Sequence, residues 1–250
     1  MSDQETLSDE EPMSGEEPMS GEARMTDGWS EQAWRSVASW YDAILEHPFL
    51  TALTDGSLPE EVFARYLVDD SHYLVGYARA LSALATRSTD PDATALLAGS
   101  AAQGIEAERQ LHRSYLLPRG IDPQSPDAPE QSPTCSAYIG TLQSLAAYAP
   151  VEIGLAGVLP CFRVYAEVGR AVLAKADDPE HRYRAWIDMY ADPAFDEGVR
   201  AVEAHTDVVA AAATQSVRDE MLAAYTRATR FEWMFWDASW RGEAWPSPQH

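Results

Sequence analysis

From Ser30 to Trp240 apolar residues recur at steps of three and four, the spacing that puts one side of an α-helix against a core. The first run shows it: Trp34, Val37, Ala38, Tyr41, Ile44 and Leu45, ending at Pro48. Nowhere do Val, Ile and Thr alternate with polar residues between turns, as a half-buried strand would require. That pattern excludes most α/β enzymes and predicts an all-α orthogonal helical bundle.

Punctuation divides the pattern. Ser57-Leu58-Pro59-Glu60 reads as a capping box opening a helix that carries Phe63, Leu67, Leu74, Tyr77, Leu81 and Leu84 as far as Arg87. Asp90-Pro91 opens a third helix, closed by Pro118 and Gly120 and followed by a proline-rich loop over 121–133. Pro150 separates a helix over 135–149 from one over 151–174. Further helices are expected over 179–190, 195–213 and 216–240.

No interdomain linker interrupts this stretch, so residues 28–250 read as one domain. Residues 1–27 differ: EEPMSG occurs twice in tandem, and charge without apolar surface predicts a disordered acidic tail. The tail lacks the basic start and apolar centre of an export signal, and no apolar run is long enough to span a membrane. The expected location is the cytoplasm. Acidic residues number 40 against 18 basic ones, for a net charge of −22, which repels nucleic acid. Lys175 is the sole lysine, and with acids dotting the outer helical faces this composition suits a cytoplasm of high salt, where self-repulsion is screened.

Few residues stand out as chemistry. Two cysteines in a cytosolic-type chain are expected to stay reduced. Cys135 falls in the first turn of a helix, where the dipole favours a thiolate, and reads as a candidate nucleophile, although a free cysteine is more often packing. Cys161, within an apolar run after Pro160, reads as core. Asp69 and Asp70 interrupt an apolar face, with Tyr73 one turn beyond; a carboxylate facing a core needs a partner or a ligand. Asp69 is expected to be solvated or paired with an arginine. Tyr138 and Tyr165 offer aromatic surfaces for a flat heteroaromatic ligand. Glu232, set among Phe231, Trp233, Phe235, Trp236 and Trp240, has the apolar surroundings that raise a carboxyl pKa toward that of a general acid. Glu108, His112 and Tyr115 share one helix face. A metal there would need a matching set on a facing helix, and the spacing of Glu203, His205 and Asp207 is wrong for one, so a structural polar network is the expectation and no metal or cofactor is called for.

Five segments in order, FARYLVDDSHYLVGYARA, Glu108 to Tyr115, PTCSAY, LPCFRVYAEVG and RFEWMFWDASW, resemble the thiaminase II (TenA) family of the heme-oxygenase-like helical superfamily, over about Trp34 to Trp240. The resemblance implies an aminopyrimidine aminohydrolase in thiamine pyrimidine salvage, with a small-molecule substrate and a homotetrameric assembly. It implies Cys135 as nucleophile and Glu232 as acid/base, with Asp70, Tyr73, Tyr115, Tyr138, Tyr165 and Phe235 around the pyrimidine. Where the family usually has Gln-Asp-Tyr this chain has Asp69-Asp70-Ser71, and Arg163 replaces an aromatic, either to pair with an acid on a neighbouring helix or to alter the pocket. Two other readings stand beside it: a non-catalytic binder of thiamine-related pyrimidines, and an oxidase related to the pyrroloquinoline quinone biosynthesis protein of the same fold.

Overall fold

The computed structural model describes residues 27–122, 125, 130–176 and 178–247, and of Glu108 the backbone alone. The expected acidic tail, apart from Asp27, lies outside the described residues, as does most of the proline-rich loop. Among the described residues the chain forms ten α-helices and no strand. They are α1 (Trp29–Ser36), α2 (Ala38–Leu45), α3 (Pro48–Thr54), α4 (Glu60–Arg87), α5 (Pro91–Leu111), α6 (Pro133–Tyr148), α7 (Val151–Leu173), α8 (Arg184–Tyr190), α9 (Pro193–Ala212) and α10 (Gln215–Arg241). A π-helical turn (His112–Leu116) and a 3-10 turn (Leu117–Arg119) extend α5, and Gly120 ends them at φ +73°, a conformation glycine adopts without a Cβ clash. None of these helices is long and apolar enough to cross a membrane.

Three boundaries differ from the sequence expectation. The first helix is broken at Val37 (φ −108°, ψ 12°), where the Ser36 hydroxyl donates to the Ala33 carbonyl, a local bond that competes with the helical ladder. The capping box does not form: Pro59 is itself the N-cap of α4, with no side-chain cap, its fixed φ of −60° leading the chain into the helix. The helix expected from Pro179 starts only at Arg184, because the Asp178 and His181 side chains accept the backbone N–H groups of Glu180 and Tyr183 and hold a turn.

The long helix α4 packs on α5 and α6, while α10 runs along α7 and also touches α4 and α6. Buried Tyr66, Tyr138, Trp186, Tyr225, Phe235 and Trp236 fill the space between them. Orphan backbone groups at both ends of α6 are satisfied by its neighbours. At the start, Asp69 accepts Ser132 N–H (2.8 Å), Glu243 accepts Thr134 N–H (2.9 Å) and the Ser132 hydroxyl accepts Cys135 N–H (3.1 Å). At the end, Arg87 donates to the Ala146 and Ala149 carbonyls, both at 2.6 Å. Asp69 is therefore neither solvated nor paired with an arginine, because its oxygen is committed to a buried helix start. Arg163, the unusual residue of α7, stacks over Trp34 and pairs with Glu203, Glu167 and Glu31, clear of the central cavity.

Candidate active site

A cavity of about 250 Å³ opens between α4, α5, α7 and the α8–α9 connection. From α4 come Asp70, Tyr73 and Tyr77, at the three- and four-residue spacing that aligns side chains on one face. Asp69 is turned about 100° away by the helical repeat, which sends it to α6 instead. From α7 come Cys161, Phe162 and Tyr165, again one turn apart. Gly169 has no Cβ, and one there would fall 2.5 Å from the Tyr190 carbonyl oxygen; its absence brings α8 close enough for Tyr190 to complete the wall. A larger open depression of about 980 Å³, bounded by Arg65, Asp69, Arg119 and Glu243, contains no cysteine or other ready nucleophile. We take the smaller, more enclosed cavity as the candidate site.

Its floor is aromatic and strongly desolvated. Tyr73 lies 5.6 Å from Tyr77, 4.9 Å from Tyr138 and 5.5 Å from Phe235, centroid to centroid. The Trp186 indole donates to the Tyr66 hydroxyl (3.2 Å), which donates to that of Tyr165 (3.3 Å), fixing the Tyr165 ring. Tyr77 donates to the Val158 carbonyl at 2.8 Å. Behind this layer Glu232, fully buried, accepts the Tyr138 hydroxyl proton at 2.6 Å. Burial raises its carboxyl from 4.5 to about 8, the Tyr138 bond opposing the rise and the Asp70 charge adding to it. Glu232 is thus protonated at neutral pH.

The Cys161 thiol is also pushed well above its ordinary value, first by burial and then by the Glu232 charge, with Tyr73 and Tyr77 acting to lower it. The Tyr73 hydroxyl lies by this sulfur, buried and without a well-formed hydrogen bond, so it can turn to a ligand. The cavity therefore sets a thiol, a carboxylate and stacked rings around one space, with a protonated carboxyl directly behind.

The sequence pattern of the TENA/THI-4/PQQC family matches residues 34–242. The chain belongs to this family. It is 32% identical over 218 residues to the aminopyrimidine aminohydrolase of Bacillus subtilis, covering 86% of this chain and 91% of that one. It is 38% identical over 193 residues to the thiamine biosynthesis multifunctional protein ThiED of Corynebacterium efficiens, covering 77% of this chain but spanning only 25% of that longer protein. Among solved structures, a TenA homologue from Pyrococcus horikoshii superimposes with a TM-score of 0.78 at 27% identity, over 86% of this chain and all of the other. A Shewanella denitrificans domain with a heme oxygenase-like fold does so with 0.68 at 17% identity, over 87% and 94%, and the fold of this chain is of that type.

Within this TenA-type fold the expected site residues divide into three groups. Asp70, Tyr73 and Tyr165 line the cavity. Tyr138, Phe235 and Glu232 form the layer behind it and touch it through Tyr73. Cys135 and Tyr115 lie elsewhere. Cys135 does sit in the first turn of α6, but its thiol points to the Asp69 carbonyl (3.3 Å), fully buried, and burial and the Asp69 and Asp70 charges push its pKa up. A thiol donating to a carbonyl is disfavoured as a thiolate, and Cys135, the expected nucleophile, is not among the residues that line the cavity. Tyr115 packs edge-on against Phe63, outside the cavity lining.

Cys161, expected to be core, is indeed buried in the core and also lines the cavity as its thiol. Its signal was present: Tyr165 stands one turn beyond it, so one face of α7 carries both. Tyr77 and Tyr190 are further wall residues that the sequence reading did not single out for the site. Glu203, a candidate member of a metal set, is paired with Arg163 at 2.7 Å.

Proposed function

We propose that this TenA-family protein is an aminopyrimidine aminohydrolase of the thiaminase II type, working in thiamine pyrimidine salvage, with Cys161 as its nucleophile. The observation that carries the reading is that Cys161 and Asp70 line one cavity with Tyr73, Tyr77 and Tyr165, and that a carboxyl of pKa about 8 lies behind it. An electron-poor heteroaromatic ring fits between such tyrosines, and a cationic ring matches the buried Asp70 carboxylate. A cationic ring would also draw the Cys161 proton off, since a neighbouring positive charge favours the thiolate that burial alone opposes.

The thiolate would then form a C–S bond to a ring carbon, and the ring electrons would break the exocyclic C–N bond, whose electron pair leaves with the nitrogen as ammonia from the protonated amine or as neutral thiazole from the thiazolium of thiamine. Glu232, protonated at rest, is suited to hand a proton toward a leaving amine and, once ionised, to take one from the water that adds to the methylene. Collapse of the adduct breaks the C–S bond and returns the thiolate, leaving hydroxymethylpyrimidine. No step requires a metal or an organic cofactor. A non-catalytic binder would need the rings and Asp70 but neither the thiol nor the raised carboxyl.

The kinship to an aminopyrimidine aminohydrolase supports this reading, as does a 25%-identical putative TenA-like thiaminase from Sulfolobus solfataricus, with a TM-score of 0.73. A homotetramer in a salt-rich cytoplasm belongs to the same proposal, on family resemblance and on the charge of −22. Aminomethylpyrimidine supplied to the purified protein in molar salt should yield ammonia and hydroxymethylpyrimidine in equal amounts. Tight binding without release of either would leave the binder reading in its place.

A further inference from the structure

Among the described residues, the cavity lining carries two charged ones, both acidic. At the floor Asp70 is 2% exposed, and at the rim Asp192, exposed, begins α9. Between them the wall is neutral: Ser100, Gln103 and Gly104 on α5, and Ala194, Phe195 and Gly198 on α9. Among the described residues that line the cavity there is no lysine, arginine or histidine. A phosphate entering here would find negative charge at both ends and no cation to neutralise it. The ammonium or thiazolium of an arriving substrate would find the reverse.

We infer that the Asp192 rim makes this cavity selective for substrates whose leaving part is cationic and excludes those that carry a phosphate on that part. The inference rests on the aminohydrolase reading and deepens it. Were the pyrimidine held by buried Asp70 and Cys161, the remainder of the substrate would have the rest of the lining to meet, the small residues Gly104, Ala194 and Gly198 and exposed Asp192. A substrate phosphorylated at its far end must bring its dianion to this rim. The reaction that supplies the substrate is therefore one that leaves a free, dephosphorylated alcohol on the leaving part.

Asp192→Asn is a clean probe. Asp192 Oδ1 now accepts Ala194 N–H (2.8 Å) as the N-cap of α9, and asparagine caps a helix about as well, so the substitution removes charge and keeps the cap. Wild type and D192N would be compared on thiamine and thiamine monophosphate, by kcat/KM and by calorimetric binding. Wild type should prefer thiamine by about 100-fold or more, and D192N should compress that ratio by about tenfold, most of it through KM. Raising the salt should compress the wild-type ratio as well, because the rim is exposed to solvent. A wild-type ratio near one, or a ratio that D192N leaves unchanged, overturns the inference. Should both ligands bind without turnover, the binding ratio decides the inference and the aminohydrolase reading alone fails. Should neither bind, both fall.

Discussion

A carboxylic acid walled in by aromatic rings makes the protein less stable as the solvent becomes more basic. Glu232 is fully buried with a pKa of about 8, against 4.5 when free in the unfolded chain. Between those values the unfolded chain has lost the proton and the native chain keeps it, so stability falls as pH rises, at up to about 1.4 kcal/mol per unit. Below 4.5 both states hold the proton and the penalty is gone; above 8 it is complete, on the order of 5 kcal/mol. The Tyr138 hydroxyl offsets part of it but does not abolish it. Glu232→Gln keeps an oxygen for Tyr138 and cannot ionise. Denaturant unfolding from pH 5 to pH 8 should show the variant gaining on wild type by about 2–4 kcal/mol across the range, while losing turnover. Parallel stability curves would contradict the assigned environment of Glu232.

Five helices line the cavity, α4, α5, α7, α8 and α9, and how legible each part of the fold was in the sequence depended on what decides its orientation. The long amphipathic runs of α4, α7 and α10 were readable from spacing alone, because burying an apolar stripe fixes where each helix starts, stops and turns. Asp70, Tyr73, Tyr165 and Glu232 followed from them. The break at Val37 was not readable, since no proline or glycine marks it, and neither was the delayed start of α8, which depends on two side chains folding back on their own backbone. The placement of the two cysteines, Cys161 in the cavity wall and Cys135 outside it, has a similar origin. Position at a helix start describes the field on the Cys135 thiol, but what the thiol faces is set by α4, whose Asp69 supplies both the carbonyl it meets and the carboxylate that anchors α6. In α7, Pro160 lacks the N–H that would bond the carbonyl one turn back, yet the helix continues through Cys161, which lines the cavity.

Charge acts on the molecule as a whole. The ion pairs in the structure use arginine, as in the Arg163 set and in Arg170 with Glu167, yet 18 basic residues cannot pair with 40 acids, and the surplus lies mostly on outer faces. Lowering the salt from 1 M to 0.01 M lengthens the screening distance from about 3 Å to about 30 Å, enough for acids on neighbouring helices to repel one another. Melting followed by circular dichroism should therefore show Tm rising with salt over that range. The rise should persist in a chain starting at Asp27, since the acids of α4, α9 and α10 remain. A Tm indifferent to salt would remove the high-salt reading, and a dependence lost with residues 1–26 would assign it to that segment.

The central claim is that the sulfur at 161, and not the one at 135, does the chemistry, and ammonia release from aminomethylpyrimidine by two serine variants tests it most directly. Cys161→Ser should lose at least about 1,000-fold in kcat while remaining helical, because an alcohol of far higher pKa replaces the nucleophile. Cys135→Ser should keep kcat within about threefold, with a modest loss of stability from placing a hydroxyl in a sulfur-sized buried site. The opposite ranking, with both variants folded, would contradict the account.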